Sequence, residues 1–523
     1  MTAGSTVAPP LPHRREGVLR SAVPLLLLLG VIGLGAVLGS VAGSSPVLGV
    51  AAASALLLGL AMTIRPDIAV HVVAAVIYSN AAVIAVQFHG VPAFATVAVP
   101  LLLVVPVANW LLVRREPVVV TSAFPLMIAF FLVQIVGTIF ADNVPAAFDE
   151  LTTFVAEGIG LYFLLTNCIR TEATLRLVVW TILAVGALLG LLSFYQDSTH
   201  AYSNDFGGFA QLSNALVDSG DSSGAADQLR LAGPIGEKNR YAQIMLMLVP
   251  LGLFWGLSAR SRWPRILGFA AAGAAAIGVA LTFSRGAAVG FAIVLIVMIA
   301  MGYIRPIQVV LVGIAISLLM IAVPSYAARV GSLVDLTSTI SGDTTAGSPD
   351  GAVLSRATEG IAALLVFADH PLIGVGPGRF PSYYRQYADD VGIRVLNSDR
   401  QAHDLYLHIA AEMGLLGLAA FLAIFGVTLR DLIRVRRRWF TERPELAKMA
   451  TGLFLAVVTY MTTGLFLHLS YERYLWLVMA LAGAAGHIGL RLAAEADAAR
   501  ERGGIRRQAL ARAPRSAVPV PQP

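Results

Sequence analysis

Apolar runs of about 18–26 residues recur along most of the chain, broken by short polar turns. That rhythm predicts membrane-crossing helices, because a hydrocarbon layer about 30 Å thick takes roughly 20 apolar residues per helical span. Fourteen stretches qualify, near 21–42, 47–64, 68–87, 91–112, 122–140, 151–167, 177–195, 240–258, 266–283, 286–304, 307–324, 403–428, 447–468 and 472–490. The expected fold is an all-α polytopic membrane protein with about 14 transmembrane helices (12–14), and the expected organisation has five parts. Residues 1–20 form a cytoplasmic tail; 21–324 carry eleven spans and an extracytoplasmic loop at 196–239; 325–402 form a large extracytoplasmic loop; 403–490 carry three spans; 491–523 form a disordered cytoplasmic tail. Within the large loop, Leu354, Ala357, Ile361, Leu364, Leu365 and Ala368 recur at helical spacing. They predict an amphipathic helix, stopped by His370-Pro371, that lies on the membrane surface or caps the bundle. The 196–239 loop, rich in Ser, Asp and Gly, reads as flexible.

Composition narrows the class. With 57% apolar residues, 13% charged and a mean hydropathy of +0.76, a set of soluble domains is excluded. The net charge of +6 is carried mainly by Arg, and most of the 37 basic residues fall in alternate turns, which are placed in the cytoplasm by the rule that short basic loops stay inside. This argues for membrane anchoring rather than nucleic-acid binding. The single Cys168 supports neither a disulfide framework nor a thiol metal site, and no internal repeat of the inverted-transporter kind is found.

The basic residues that break the inside bias are the candidates for chemistry. Arg285, in Thr282-Phe283-Ser284-Arg285-Gly286, is wedged between two spans with almost no linker. A cation there either faces a watery cavity and binds an anion or snorkels to lipid headgroups. Arg356 opens the amphipathic loop helix, against the helix dipole, and calls for an anionic partner; that partner is either Glu359, one turn on, or a phosphate. His403, at the mouth of a span, has the intrinsic pKa of a general base at neutral pH, or serves only as an interfacial residue. Asp404 and His408 share a helix face, a weak metal signal. Gly374-Val375-Gly376-Pro377-Gly378 lacks the strand and helix of a nucleotide loop and predicts a re-entrant turn. Arg379, Tyr383, Tyr384 and Tyr387 would then face a polar ligand or serve as interface anchors.

Taken in order, these segments resemble the superfamily of O-antigen ligases and Wzy-type polysaccharide polymerases, membrane glycosyltransferases of the GT-C type. The resemblance is concentrated in 233–403 and continues weakly to about 485. It rests on five segments: Gly233-Pro234 through Asn239; Thr282 to Gly286; Arg356; His370-Pro371-Leu372-Ile373-Gly374-Val375-Gly376; and His403-Asp404 followed by Gly414 and Gly417. It departs at Asp404, where the ligases usually carry Asn, Ser or Gln. The resemblance implies a polyprenyl-diphosphate-linked glycan donor, a glycan or lipid-core acceptor, and action at the outer face of the cytoplasmic membrane. It also implies inverting transfer with no metal, cofactor or nucleotide sugar, and flippase or chain-length-regulator partners. On that pattern Arg285 and Arg356 hold the diphosphate, His403 deprotonates the acceptor, and Arg379, Arg240, Asp404 and Tyr384 contact substrate. Two other classes remain open, a glycolipid transporter or flippase and a non-catalytic scaffold. A transporter would place ionisable residues in the middle of several spans, and Glu157, His71 and Gln134 are the ones that could fit it.

Overall fold

The computed structural model describes residue 62 and residues 65–213, 230–310, 313–314, 351–393, 400–468 and 472–512. The expected spans near 21–42, 47–64 and 307–324 lie wholly or almost wholly outside the described residues. Each of the other eleven expected spans coincides with helix. In chain order the helices are α1 (Asp67–Tyr78), α2 (Ala81–His89), α3 (Phe94–Val113), α4 (Phe124–Ile139), α5 (Val144–Cys168), α6 (Glu172–Ser198), α7 (Lys238–Ser258), α8 (Arg262–Thr282) and α9 (Arg285–Ala300). They continue as α10 (Gly351–Asp369), α11 (Phe380–Val391), α12 (Leu405–Trp439), α13 (Pro444–Phe466) and α14 (Glu472–Arg512). Among the described residues eight helices are long and apolar enough to cross a membrane, or nine if α1 and α2, bent by 58° about Asn80, form one broken span. α4 and α9 are apolar but shorter, at 16 residues each.

The bundle is built around α7, which packs against α8 and α13 and is buried on nearly every face. Close approach on the α8 side needs residues without side chains, since a Cβ at Gly268 would lie 2.6 Å from the Gly256 backbone. Apolar side chains such as Leu132, Leu188 and Ile296 are exposed on the outside of the bundle, as expected of a surface that meets lipid.

The arginines expected in short basic turns gather at one end of the bundle, where they tie helix ends together. Arg443 reaches Glu172 at 2.6 Å, Arg438 reaches Asp497 at 2.9 Å, and Arg260 pairs with Glu445. One expectation fails at this end. Composition predicts a disordered tail from residue 491, yet α14 continues without a break to Arg512. Its alanine- and leucine-rich run has high intrinsic helix propensity, and Arg438–Asp497 and Arg500–Glu442 pair it with α12 and the turn after it.

At the opposite end the 196–239 loop is also more ordered than its composition suggested. Its two flanks pair as an antiparallel ribbon, β1 (Gln211–Ser213) with β2 (Arg230–Gly233), while residues 214–229 lie outside the description. The Gln196 amide donates to the Asn204 and Ala210 carbonyls, and that of Asn80 to Pro234, pinning the loop to α6 and to the α1–α2 bend.

The amphipathic helix of the large loop is present as α10, and its burial is the reverse of the usual one. Ser355, Thr358, Glu359, Ala362, Ala363 and Val366 are buried, whereas Ile361, Leu364 and Leu365 are 40%, 51% and 37% exposed. The small and polar side packs against α11 and α12, and the apolar stripe faces away from the protein, the arrangement of a helix seated on a membrane surface.

Candidate active site

Three chain segments converge at the end of the bundle that carries α10. The first is the corner between α8 and α9. Phe283 takes a left-handed backbone conformation (φ 52°) that ends α8, and Ser284 immediately caps α9, its hydroxyl accepting from the Ala287 amide at 3.3 Å. The same hydroxyl donates to Asn239 Oδ1 at 2.9 Å, which fixes the corner to the first turn of α7. Arg285 is therefore the first residue of α9, half-buried.

The second segment is α7 itself. Glu237 caps it by accepting from the Asn239 and Arg240 amides. Arg240 is 2% exposed, and its guanidinium donates to the His468 carbonyl at 2.6 Å and to Gln243 Oε1 at 3.0 Å. Gln243 in turn donates to Thr463 at 2.9 Å, so this arginine ties α7 to the end of α13.

The third segment is α10. Arg356 lines a small cavity with Asn239, Ser284, Gly286, Ala287, Thr463, Phe466 and Leu467, which puts it against the α8–α9 corner that displays Arg285. One turn along α10, the fully buried Glu359 accepts from Arg400 Nε at 2.8 Å, and its other oxygen lies 2.8 Å from His403 Nδ1. The expected local pairing of Glu359 with Arg356 thus gives way to two partners from the segment before α12. The His403 ring stands edge-on to His468, with centroids 5.4 Å apart, and His468 follows Leu467 of the cavity wall. Burial, with Arg240 and two other histidines adding to it, pushes the His468 imidazole well below its ordinary pKa, so it is neutral at pH 7.

His403 owes its position to a left-handed backbone (φ 48°) directly before Asp404, whose carboxylate accepts from the Tyr406 and Leu407 amides and caps α12. Asp404 is thus a helix cap adjoining the site. Below it, α12 breaks at Gly414 (φ 64°, ψ −166°). The loop after α10 takes four of the backbone groups freed by the break. The Val375 and Gly376 amides donate to the Ala411 and Glu412 carbonyls, and the Leu415 and Leu416 amides donate to Pro371 and Leu372. A Cβ at Gly374 would lie 2.3 Å from the Glu412 backbone, and one at Gly414 2.3 Å from Leu372. The Glu412 carboxylate then accepts from the Gly378 and Phe380 amides at the start of α11. The Gly374–Gly378 segment is therefore a turn, and the amides of Val375, Gly376 and Gly378 are consumed by α12.

Arg379 is engaged with Asp142, and Tyr384 is packed in the core that also holds Ala402, the residue before His403. Arg379 forms a forked pair with Asp142, at 2.7 and 3.1 Å, which holds the Asp142 carboxyl below its ordinary pKa. Tyr384 is fully buried between α10 and α11 beside Phe380. Tyr387 donates to Asp369 at 2.7 Å; burial first, and then this carboxylate, pushes its phenol up to about 12.

The residues that sequence reading did not single out as functional are Glu359 as a neighbour of His403, Arg400, His468 and Glu412. The first two connect elements about 40 positions apart, which no local spacing reveals. Glu412 did carry a signal, an ionisable residue within an apolar span, four positions after His408. Among the described residues no group of His, Cys, Asp and Glu is arranged to hold a metal ion.

Among curated proteins none matches the chain. A family model does match, over residues 270–422, a stretch that runs from within α8 to the middle of α12 and includes Arg285, Arg356, Glu359 and His403 but neither Arg240 nor His468. That model is Wzy_C, O-antigen ligase, and over those residues the resemblance to the O-antigen ligase and polymerase superfamily holds.

Proposed function

We propose that this protein is a membrane glycosyltransferase of the O-antigen ligase or polymerase type, which transfers a glycan from a polyprenyl-diphosphate carrier to a hydroxyl of a glycan or lipid-core acceptor. The reaction takes place at the outer face of the cytoplasmic membrane, opposite the arginine-tied end. Arg285 and Arg356 hold the diphosphate and His403 acts as general base.

One observation carries this reading. Arg356 and Glu359 lie three residues apart on α10, about 4.5 Å along its axis; the first lines the cavity against the α9 start, and the second touches His403. This neighbourhood of Arg356, the α9 start and His403 supports a site in which two cations and a base act on one sugar diphosphate. Guanidinium groups match phosphate oxygens by forked donor geometry and need no metal to do so. As the acceptor oxygen bonds to the anomeric carbon, the bond from that carbon to the diphosphate breaks with its electron pair, and charge grows on the leaving phosphate. Fixed cations there stabilise the transition state more than the bound donor. The convergence of Arg356, Glu359, Arg400 and His403 at one end of the bundle favours this reading over a transporter.

The test is to incubate purified protein with a lipid-linked oligosaccharide and separate the products by length. Chain growth identifies a polymerase, and transfer to a different acceptor a ligase. His403→Asn keeps a residue tolerant of the left-handed backbone and is expected to lower turnover by about 10²–10⁴, the usual contribution of a general base, with donor binding retained. Full turnover by this variant removes His403 from the role of base.

A further inference from the structure

The environment of His403 assigns a role to a residue outside the substrate cavity. We propose that Glu359 is the positioning residue of His403: its buried carboxylate fixes the imidazole with the proton on Nδ1, leaves the Nε2 lone pair for the acceptor hydroxyl, and stabilises the imidazolium formed on transfer. The proposal rests on the reading of His403 as the base.

Four observations carry it. His403 Nδ1 has two acceptors beside it, Glu359 Oε2 at 2.8 Å and the Gln401 carbonyl at 3.0 Å, and a nitrogen between two acceptors carries the proton. Nε2 has no protein hydrogen-bond partner among the described residues, and a quarter of the side chain is exposed. Glu359 is 0% exposed, and its Oε2, buried without a hydrogen bond of full geometry, lies 2.8 Å from Nδ1, close enough for a small turn of the ring to share the Nδ1 proton between it and the Gln401 carbonyl. Arg400, bonded to the other oxygen at 2.8 Å, gives the buried carboxylate a cationic partner.

The charged and titratable groups around the ring come from four elements. They are Glu359 and Arg356 of α10, Arg400 and Asp404 of its own segment, His468 after α13, and Arg240 of α7 acting through the His468 carbonyl. Of these, Glu359 is the anion in contact with the imidazole. In the transfer step the acceptor O–H proton passes to Nε2, the acceptor oxygen bonds to the anomeric carbon, and the electron pair of the breaking bond leaves on the diphosphate. His403 is then a cation 2.8 Å from a carboxylate, a pairing that favours proton uptake at the moment of attack.

Glu359→Gln keeps an acceptor oxygen for Arg400 and removes the charge. In the transfer assay kcat should fall by about 10²-fold or more, with KM for donor and acceptor within about twofold, and the acid limb of the kcat profile should move down as the imidazole loses its anionic neighbour. Glu359→Asp should recover part of kcat. A second measurement needs no turnover: the rate of carbethoxylation of His403 by diethyl pyrocarbonate against pH, read by peptide mass spectrometry. Its midpoint should also be lower in Glu359→Gln. An unchanged midpoint overturns the role of Glu359 even in a protein that transfers no glycan, whereas a shifted midpoint in an inactive wild type upholds the pairing and rejects only the assignment of the base. Should Glu359→Gln not fold, Glu359→Asp, which draws the carboxylate back by one methylene, is expected to show a smaller downward shift, and no shift again overturns the proposal.

Discussion

Arg285 is the first residue of α9, where a cation opposes the helix dipole at a cost of about 0.3–1 kcal/mol, whereas Arg356 lies beyond the first turn of α10, which already runs from Gly351. A protein keeps a cation at a helix start when it has another use, and an anion held at the start of α9 gains from that dipole and from both guanidinium groups. Arg285→Gln and Arg356→Gln should each reduce transfer by about 10²–10³, the range for removal of one transition-state donor. Yields of folded protein should stay near wild type. Equal turnover by both variants in the lipid-linked oligosaccharide assay would show that the arginines serve only to anchor the helices. Arg240 belongs to a different case. Buried and donating to the His468 carbonyl and Gln243, it holds α7 to the end of α13. Arg240→Met should therefore lower the melting temperature in detergent as well as activity, because it leaves buried acceptors unpaired at about 1–3 kcal/mol each. Among the candidates read from the sequence, Arg285, Arg356 and His403 come to one region, while Arg379 and Tyr384 are spent on Asp142 and on the α10–α11 core. Residue type and spacing marked which side chains could act, but not which partners would occupy them.

At the scale of elements, the broken helix α12 explains why two glycine-bearing segments occur far apart in the chain. The loop after α10 and the break at Gly414 are halves of one backbone-pairing device, and neither half satisfies its hydrogen bonds alone. Gly414 lies in a region of backbone space open essentially to glycine, and an added Cβ would meet the Leu372 carbonyl. Gly414→Ala is accordingly expected to destabilise the fold by about 2–4 kcal/mol, read as a lower thermal unfolding midpoint, with loss of transfer because α10 and His403 are positioned through this junction. An unchanged midpoint would show that α12 can run straight. α10 teaches a related lesson. Its 3.6-residue period was legible, but the side that faces the protein was not, since a helix lying between protein and lipid buries apolar residues on its outer side.

The whole molecule has two unlike ends. One is tied by arginine–carboxylate pairs, the other holds the candidate site, and the surface between them is apolar. If the proposed orientation is right, the two ends must label from opposite sides of the membrane. Cys168 is buried at 3% exposure, so a new surface cysteine gives a clean signal. Gln386→Cys on α11 should react with a membrane-impermeant maleimide in intact cells, and Thr441→Cys, between α12 and α13, only after permeabilisation. Labelling of both from one side would invert or abolish the proposed topology.

The sequence by itself determined the class of the molecule, because a hydrophobic run long enough to cross a bilayer needs no tertiary partner to be recognised; each expected span that falls within the described residues is helical. It also marked the arginines and the histidine, whose placement runs against the cost of charge near lipid. Only the tertiary structure decided that Glu359 and Arg400 stand beside His403, that Arg240 and Asp404 stabilise helix ends, that α12 is broken and repaired by a distant loop, and that residues 491–512 continue α14. These are contacts between segments remote in the chain, and the free energy of a long-range pair depends on which surfaces meet, a property that no local period encodes.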